Sequence, residues 1–213
     1  MNIESKSDAQ GVAPPAPLSE ENIPESPFEL FEAWLHSASE SNLILDHNAM
    51  CLSTVDAEGL PDSRIVLLRR FDSSGFVFFT NSHSAKGREL AVRPFAALTF
   101  FWDPLRRQIR IRGAVEPVGD SESDAYFANR PRLSQLGAWA SQQSAELGSR
   151  EQFEQELVEV ESLFVGQQVP RPPHWKGYRV RPATIEFWQE RPNRLHDRFL
   201  FRAPDWSRTR LYP

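Results

Sequence analysis

From Ala49 to Arg112 the chain repeatedly sets a short β-forming run beside a cluster of turn residues, and this alternation is what most limits the fold. Met50–Val55 and Ser63–Arg70 read as strands, separated by the turn chemistry of Asp56-Ala57-Glu58-Gly59. Asp72-Ser73-Ser74-Gly75 leads into Phe76–Thr80, a hairpin signal. Ala96–Trp102 follows, then the alternating Gln108–Arg112, which Gly113 is expected to end. Near the C-terminus Gly177–Val180, Thr184–Gln189 and Arg194–Arg202 return to the same pattern.

Helices are inserted between these runs. Ser26 suits a cap, Pro27 the first helical position and Glu29 a capping box, and Phe28, Phe31, Trp34 and Leu35 share one face to about Ser39. Ser84 is placed to cap Ala85–Val92, and Ser121–Asp124 opens a helix holding Tyr126 and Phe127. Asn129–Gly148 reads as loop. Ser149 and Gln152 start a longer helix, which Pro170, Pro172 and Pro173 bound. Strands joined by short turns, with few helices between, predict an α+β protein on an antiparallel sheet or barrel.

At 213 residues and 40% hydrophobic, the chain suits one domain over 26–213, preceded by a polar, Pro-rich, loosely packed or disordered arm over 1–25. Residues 1–26 hold five acids and one base, a net of −4 within the chain's −5, so the body is near neutral at −1. A general nucleic-acid binder would be basic. No apolar run approaches the ~20 residues of a membrane span, and no secretion pattern opens the chain. The single cysteine, Cys51, reads as a core residue and allows no internal disulfide, which either fits a reducing cytoplasm, the location expected here, or is neutral. The ten glycines never fall two apart, excluding a G-x-G dinucleotide fingerprint, and the five histidines lack close metal-ligand spacing. A bound phosphate must therefore be held by side chains, with or without a helix N-terminus.

Two groups suit that task. In the first, Lys86 falls in the first turn of the helix capped by Ser84, where a cation opposes the helix dipole unless an anion sits there. Arg64, on the strand expected to pair with the one feeding this helix, can converge on it. The second is Tyr126 and Arg130, four apart, with Ser134 beyond the break at Pro131 and Arg69 as a further member. Taken singly, each group also reads as an ordinary basic surface. Arg194, His196 and Arg198 alternate and so are expected on one strand face, equally suited to solvent or to a flat anionic ligand. Gln108, Gln143, Ser144 and Trp188 are further polar or flat groups suited to a heteroaromatic ring.

These residues fall in an order that resembles the pyridoxine/pyridoxamine 5′-phosphate oxidase family over about residues 27–213. The markers are Arg64-Ile65-Val66-Leu67-Leu68, Phe79-Thr80-Asn81, Arg130-Pro131-Arg132-Leu133-Ser134-Gln135, Gly137-Ala138-Trp139-Ala140-Ser141, Gln143-Ser144, Glu186-Phe187-Trp188, Arg194-Leu195-His196-Asp197-Arg198 and Leu211-Tyr212-Pro213. The resemblance implies a split β-barrel homodimer with FMN at the subunit interface. It implies oxidation of pyridoxamine or pyridoxine 5′-phosphate to pyridoxal 5′-phosphate, with dioxygen reduced to hydrogen peroxide. Carried over by position, Arg64, Ile65, Val66, Leu67, Leu68, Arg69, Phe79, Thr80, Lys86, Gln108, Gln143, Ser144, Trp188 and Arg198 correspond to FMN-site positions. Arg69, Tyr126, Arg130 and Ser134 correspond to the substrate-phosphate pocket, and Arg194 and His196 to the catalytic residues over the substrate ring. No metal, nucleic acid or membrane is implied.

Departures are visible. The family usually has Lys at the position of Arg69 and often Arg at that of Ala85. Many members carry an N-terminal Arg and Tyr that close over the substrate, and residues 1–25 contain neither. The rival readings are the flavin oxidase of phenazine biosynthesis, a non-catalytic flavin- or haem-binding split barrel, and a nucleic-acid module built on Arg110 and Arg112.

Overall fold

The computed structural model describes residues 16–213. In chain order the elements are α1 (Pro27–Ser39), β1 (Ala49–Val55), β2 (Pro61–Leu67), β3 (Arg70–Asp72), β4 (Gly75–Asn81), α2 (Ala85–Val92), β5 (Phe95–Trp102), β6 (Arg107–Pro117), α3 (Asp120–Ala128), α4 (Arg132–Ala140), α5 (Arg150–Leu163), β7 (Trp175–Gln189), β8 (Asp197–Arg202) and β9 (Ser207–Arg210). The strands run β2-β1-β5-β6-β7-β4-β3, with β8 on β7 and β9 on β8. The β3–β4, β4–β7, β7–β8 and β8–β9 pairs are antiparallel. The α+β architecture expected from the spacing of strand and turn signals is the one observed. No helix among the described residues is long and apolar enough to cross a membrane.

The chain divides into two compact units. One takes the chain up to Met50 with Thr99–Ile111 and Ala183–Pro213; the other takes Cys51–Leu98 and Arg112–Pro182. In the first, α1 begins where Ser26 Oγ accepts the Phe28 N–H, with Pro27 at the start. Its apolar stripe buries Phe31 and Trp34 edge-on against Phe100 and Phe187, each at 5.3 Å between ring centres. Full burial of such a ring contributes about 1.5–3 kcal/mol. In the second unit, β4 is buried on both faces from Phe76 to Phe78. A further cluster of Phe127, Leu136, Val169 and Trp175 is packed by residues of α4 and α5.

Several sequence expectations need correction. The strand expected over Ser63–Arg70 is two: β2 lies beside β1, while β3 pairs with β4, and the chain changes partner at Leu68-Arg69. Arg64 is therefore not on the hairpin strand. Gly113 does not end β6. It sits within it, because a Cβ there would lie 1.8 Å from the Arg181 carbonyl oxygen, and only glycine allows that approach. The expected loop Asn129–Gly148 contains α4. The two C-terminal strands expected around Pro182 are one, β7; its pairing with β4 stops at Val180 and that with β8 starts at Thr184. Pro182 falls between the two registers, where its missing N–H costs neither ladder a bond. Cys51 is half-buried on β1 rather than in the core.

Of the expected loose arm, residues 1–15 lie outside the described residues. Residues 16–25 are held down: Leu18 and Ile23 are 7% and 5% exposed. Arg208 donates to the carbonyls of Ile23 and Glu20 at 2.7 and 2.9 Å, and Gln189 Nε2 to that of Ala16 at 2.7 Å. Two apolar anchors and donors for the main chain overcome a composition that reads as disordered.

Candidate functional site

Lys86 is the first unusual group. Ser84 caps α2, its Oγ accepting the Gly87 N–H at 3.3 Å, and Lys86 follows in the first turn. The lysine is only 8% exposed. Its Nζ reaches two neutral partners, Ser84 Oγ at 3.4 Å and Gln143 Oε1 at 3.3 Å. Burial pushes its pKa down and Arg64 adds to that, while Glu89 and Asp62 pull it back up. A buried ammonium at a helix N-terminus, bonded to neutral groups, is arranged for an anion.

Arg64 supports it from β2. Its Nη2 binds Asp62 at 2.6 Å and Glu89 at 3.0 Å, and its Nη1 donates to Thr54 Oγ1, which in turn donates to Glu89. Glu89 is buried and orients the guanidinium. It lies three residues after Lys86 on α2, a helical spacing that would have placed it on the same face, though a helix glutamate reads first as solvated.

Arg64, Ile65, Val66, Leu67, Arg69, Phe79, Thr80, Lys86, Gln143 and Ser144 line one cavity of about 450 Å³. The Arg64–Arg69 stretch thus lines one space, with one exception. Leu68 is a 5%-exposed core residue and is absent from the lining, because it sits where the chain leaves β2. Gln143 belongs to a loop after α4, tied to the end of β4 by Thr80 Oγ1 to Gln143 Oε1 at 3.2 Å and Asn81 Nδ2 to Ser141 O at 3.4 Å.

A second cavity, of about 370 Å³, shares Phe79, Thr80 and Gln143 with the first and adds Asn81, Arg130, Ser134, Gly137, Ala138, Ser141 and Trp175. Arg130 lies in the turn between α3 and α4, so its approach to Tyr126 does not come from helical spacing. Its guanidinium is over the rings of Trp175 at 5.0 Å and Phe127 at 5.6 Å. Its Nη1 is buried without a hydrogen-bond partner. Burial lowers its pKa, Tyr126 raises it, and the nearby Arg69 lowers it again. Tyr126 stacks on Phe79 at 4.2 Å with planes 4° apart, and Arg69 sits 5.7 Å over the Tyr126 ring. Ser134 is in the first turn of α4, its N–H bonded to Pro131 O at 2.8 Å. Asn81, Ser141 and Trp175 were not singled out from the sequence. The first two sit in marker segments, whereas a lone Trp opening a strand reads as core.

The remaining candidates belong to the other unit. Arg194 and His196 are not on a strand face: β8 starts at Asp197, after a 3₁₀ turn over Pro192–Arg194. Asn193 and Arg194 take left-handed backbone, φ 58° and 61°, a conformation asparagine tolerates but one that costs the arginine about 1–2 kcal/mol. Alternation along a strand therefore does not relate Arg194, His196 and Arg198. His196 Nδ1 accepts the Arg191 N–H at 3.2 Å, so the neutral ring carries its proton on Nε2. The ring packs on Trp188 at 4.6 Å. Trp188 is the cross-strand partner of Arg198, whose Nε and Nη2 bind Glu186 Oε1 at 2.9 and 2.7 Å. Arg110 Nη1 binds the other oxygen of the buried Glu186 at 3.1 Å. Gln108 is half-buried on β6.

Comparison with known proteins follows the same residues. Residues 40–164 match the family model described as pyridoxamine 5′-phosphate oxidase. Residues 175–213 match the pyridoxine 5′-phosphate oxidase C-terminal dimerisation region. A pyridoxine/pyridoxamine 5′-phosphate oxidase of Caulobacter vibrioides is 55% identical over 202 residues, 94% of this chain and 89% of that protein. One from Rhodopseudomonas palustris is 53% identical over 215 residues, 97% and 100% of the two chains. Among solved structures, PhzG of Burkholderia lata, in complex with tetrahydrophenazine-1-carboxylic acid, has a TM-score of 0.84 at 33% identity, covering 91% of this chain and 95% of that one. A pyridoxamine 5′-phosphate oxidase-related protein from Nostoc punctiforme, at 18% identity and TM-score 0.71, shares the fold. With residues 40–164 and 175–213 matched by its models, and relatives of over half identity along most of its length, the chain belongs to the pyridoxamine 5′-phosphate oxidase family.

Proposed function

We propose that this protein oxidises pyridoxamine 5′-phosphate and pyridoxine 5′-phosphate to pyridoxal 5′-phosphate, using FMN and dioxygen. The observation that carries the reading is the buried, unbonded Nη1 of Arg130 in a cavity adjoining the one that holds Lys86. Two cationic pockets sharing Phe79, Thr80 and Gln143 fit a pair of phosphate-bearing aromatic molecules set against each other.

FMN fits the larger cavity on the evidence of its donors. Lys86, Arg64 and the N-terminus of α2 would hold the phosphate, and Thr80, Gln143 and Ser144 supply polar contacts to the rest. FMN, when bound, supplies the two-electron acceptor for the C4′ hydride and returns the electrons to dioxygen, giving hydrogen peroxide. The protein's part is placement. Arg130, Ser134, Tyr126 and Arg69 would bind the substrate phosphate; Arg69, a fork where the family usually has a point donor, also stacks on Tyr126. Arg194 and His196 would hold the pyridine ring, His196 donating from Nε2. With an amine substrate, water then releases ammonia from the oxidised carbon.

The active assembly in this reading is a homodimer with the cofactor at its interface. The Arg64–Lys86 and Arg130–Ser134 groups would come from one subunit, and Gln108, Trp188, Arg194, His196 and Arg198 from the other. A cytoplasmic location goes with it, since a chain with one cysteine needs no oxidising compartment.

The test is direct: purify the protein, record a flavin spectrum, and follow aldehyde and peroxide formed from pyridoxamine 5′-phosphate. A protein that cannot be reconstituted with FMN overturns the reading. The likeness to PhzG favours one alternative, oxidation of a reduced phenazine carboxylic acid. Arg130 argues against it, because that ligand has no phosphate to meet a buried guanidinium. Turnover of the phenazine substrate with none of pyridoxamine 5′-phosphate would reverse the preference.

A further inference from the structure

The carboxylate of Asp197 lies beside the loop that carries Arg194 and His196, and the reading above gives it no task. Its side chain is 13% exposed. Oδ1 accepts from Arg210 Nη1 at 2.9 Å. Oδ2 accepts the Leu18 N–H at 3.3 Å and lies 3.7 Å from Arg191 Nε. The three partners come from separate places: the segment before α1, the loop before β8, and β9.

Arg210 extends the contact. It binds both oxygens of Glu20 at 2.9 and 3.1 Å, donates to Leu18 O at 3.0 Å, and lies 4.4 Å over the Phe199 ring. On the other side, the N–H of Arg191 fixes His196 Nδ1. Asp197 thus binds the side chain of the residue whose main chain sets the imidazole's tautomer. Between Arg191 and Asp197 the backbone passes through two left-handed residues, a conformation that surrounding contacts must impose.

We propose that Asp197 is a positioning residue: its carboxylate clamps the Leu18–Glu20 segment and Arg191 together, holding Arg194 and the Nε2–H of His196 in place for the substrate. This rests on the assignment of Arg194 and His196 as substrate contacts. The charge is needed as well as the shape, because an amide in its place would either turn a donor towards Arg210 or lose the Leu18 and Arg191 contacts.

The test is Asp197→Asn in the FMN-loaded enzyme. kcat with pyridoxamine 5′-phosphate should fall about tenfold, with FMN content and KM near wild type, since misplacement affects the reacting geometry most. In a His196→Ala background the same substitution should cost less, because the part of its effect that acts through that ring is gone and only the part through Arg194 remains. A readout independent of turnover is the ¹⁵N spectrum of the histidine rings. His196, identified by loss of its signals in His196→Ala, should be the Nε2–H tautomer in wild type and a mixture in Asp197→Asn. An unchanged ring spectrum overturns the clamp, as does an equal fold-loss in both backgrounds. So does a lower melting temperature with unchanged kcat, which would mark Asp197 as merely structural. If Asp197→Asn does not fold, Arg210→Gln is read by the same two measurements, with Arg210→Lys as the partial rescue. Should wild type fail to oxidise pyridoxamine 5′-phosphate, the substrate reading fails by itself, and the ring spectrum still decides the clamp.

Discussion

At Arg130 a guanidinium is held over two aromatic rings with Nη1 unbonded and buried, a costly state that an anion would relieve. Replacing it by Met keeps the packing and removes the charge. KM for pyridoxamine 5′-phosphate should rise about thirtyfold, the equivalent of roughly 2 kcal/mol for one charged hydrogen bond. Turnover of phosphate-free pyridoxamine, itself weak, should be unmoved; an equal loss on both substrates would refute the phosphate role. Lys86 gives a second, two-sided expectation. Burial lowers its pKa, so in the cofactor-free fold the charged form is disfavoured and costs stability while the pH is below the folded pKa; that cost is relieved as pH rises. A bound phosphate reverses the balance. Lys86→Met should therefore leave the melting temperature of the apoprotein no lower while weakening FMN about thirtyfold. FMN affinity of wild type should fall with rising pH before the ordinary lysine range is reached, and in the variant this slope should flatten. At this scale the sequence was partly legible. Lys86 could be found because a cation in a first helical turn opposes the dipole. Glu89 and Glu186 could not, since a glutamate's ordinary place is in water and only the packed structure shows them buried against arginines.

Elements place these residues through close approaches that patterns of polarity do not reveal. Gly177 on β7 stands opposite Phe79 on β4. A Cβ there would lie 2.5 Å from the Phe79 ring and from Val118 Cγ2. Phe79 lines both cavities, so Gly177→Ala should push the ring into the space shared by the two ligands. Stability should fall by about 1–3 kcal/mol, as for overpacking. FMN and substrate should both bind more weakly, as flavin fluorescence titration and KM would report; unchanged binding with lowered stability would show that the strand, not the ring, yields. Most strands were readable because turn residues mark their ends. Two boundaries were not. Pro131 and Gly137, with a short apolar stripe, hid α4, although a proline at a helix start is well tolerated. Before β8, alternating basic residues imitated a strand. Asn193 and Arg194 adopt left-handed backbone there; Pro192-Asn193 is a turn signal that accounts for the first, and no local pattern announces the second.

For the whole molecule, the candidate residues collect into two groups, one in each compact unit. The proposed homodimer would join the phosphate-holding group of one subunit to the Arg194–His196 group of the other. This has a consequence that a site within one chain does not share. A Lys86→Met, Arg130→Met subunit lacks the first group, and an Arg194→Ala, His196→Ala subunit lacks the second, so each homodimer should be nearly inactive. In the mixed dimer both lesions fall on one site and leave the other wild type. Unfolding and refolding the two variants together at equal concentration should then restore about a quarter of wild-type activity, because half the dimers are mixed and half their sites are intact. If each site is built within one chain, every site in the mixed dimer keeps one lesion and no activity returns. Refolding each variant alone controls for recovery by other routes. Activity regained only in the mixture would place the reacting groups on opposite subunits.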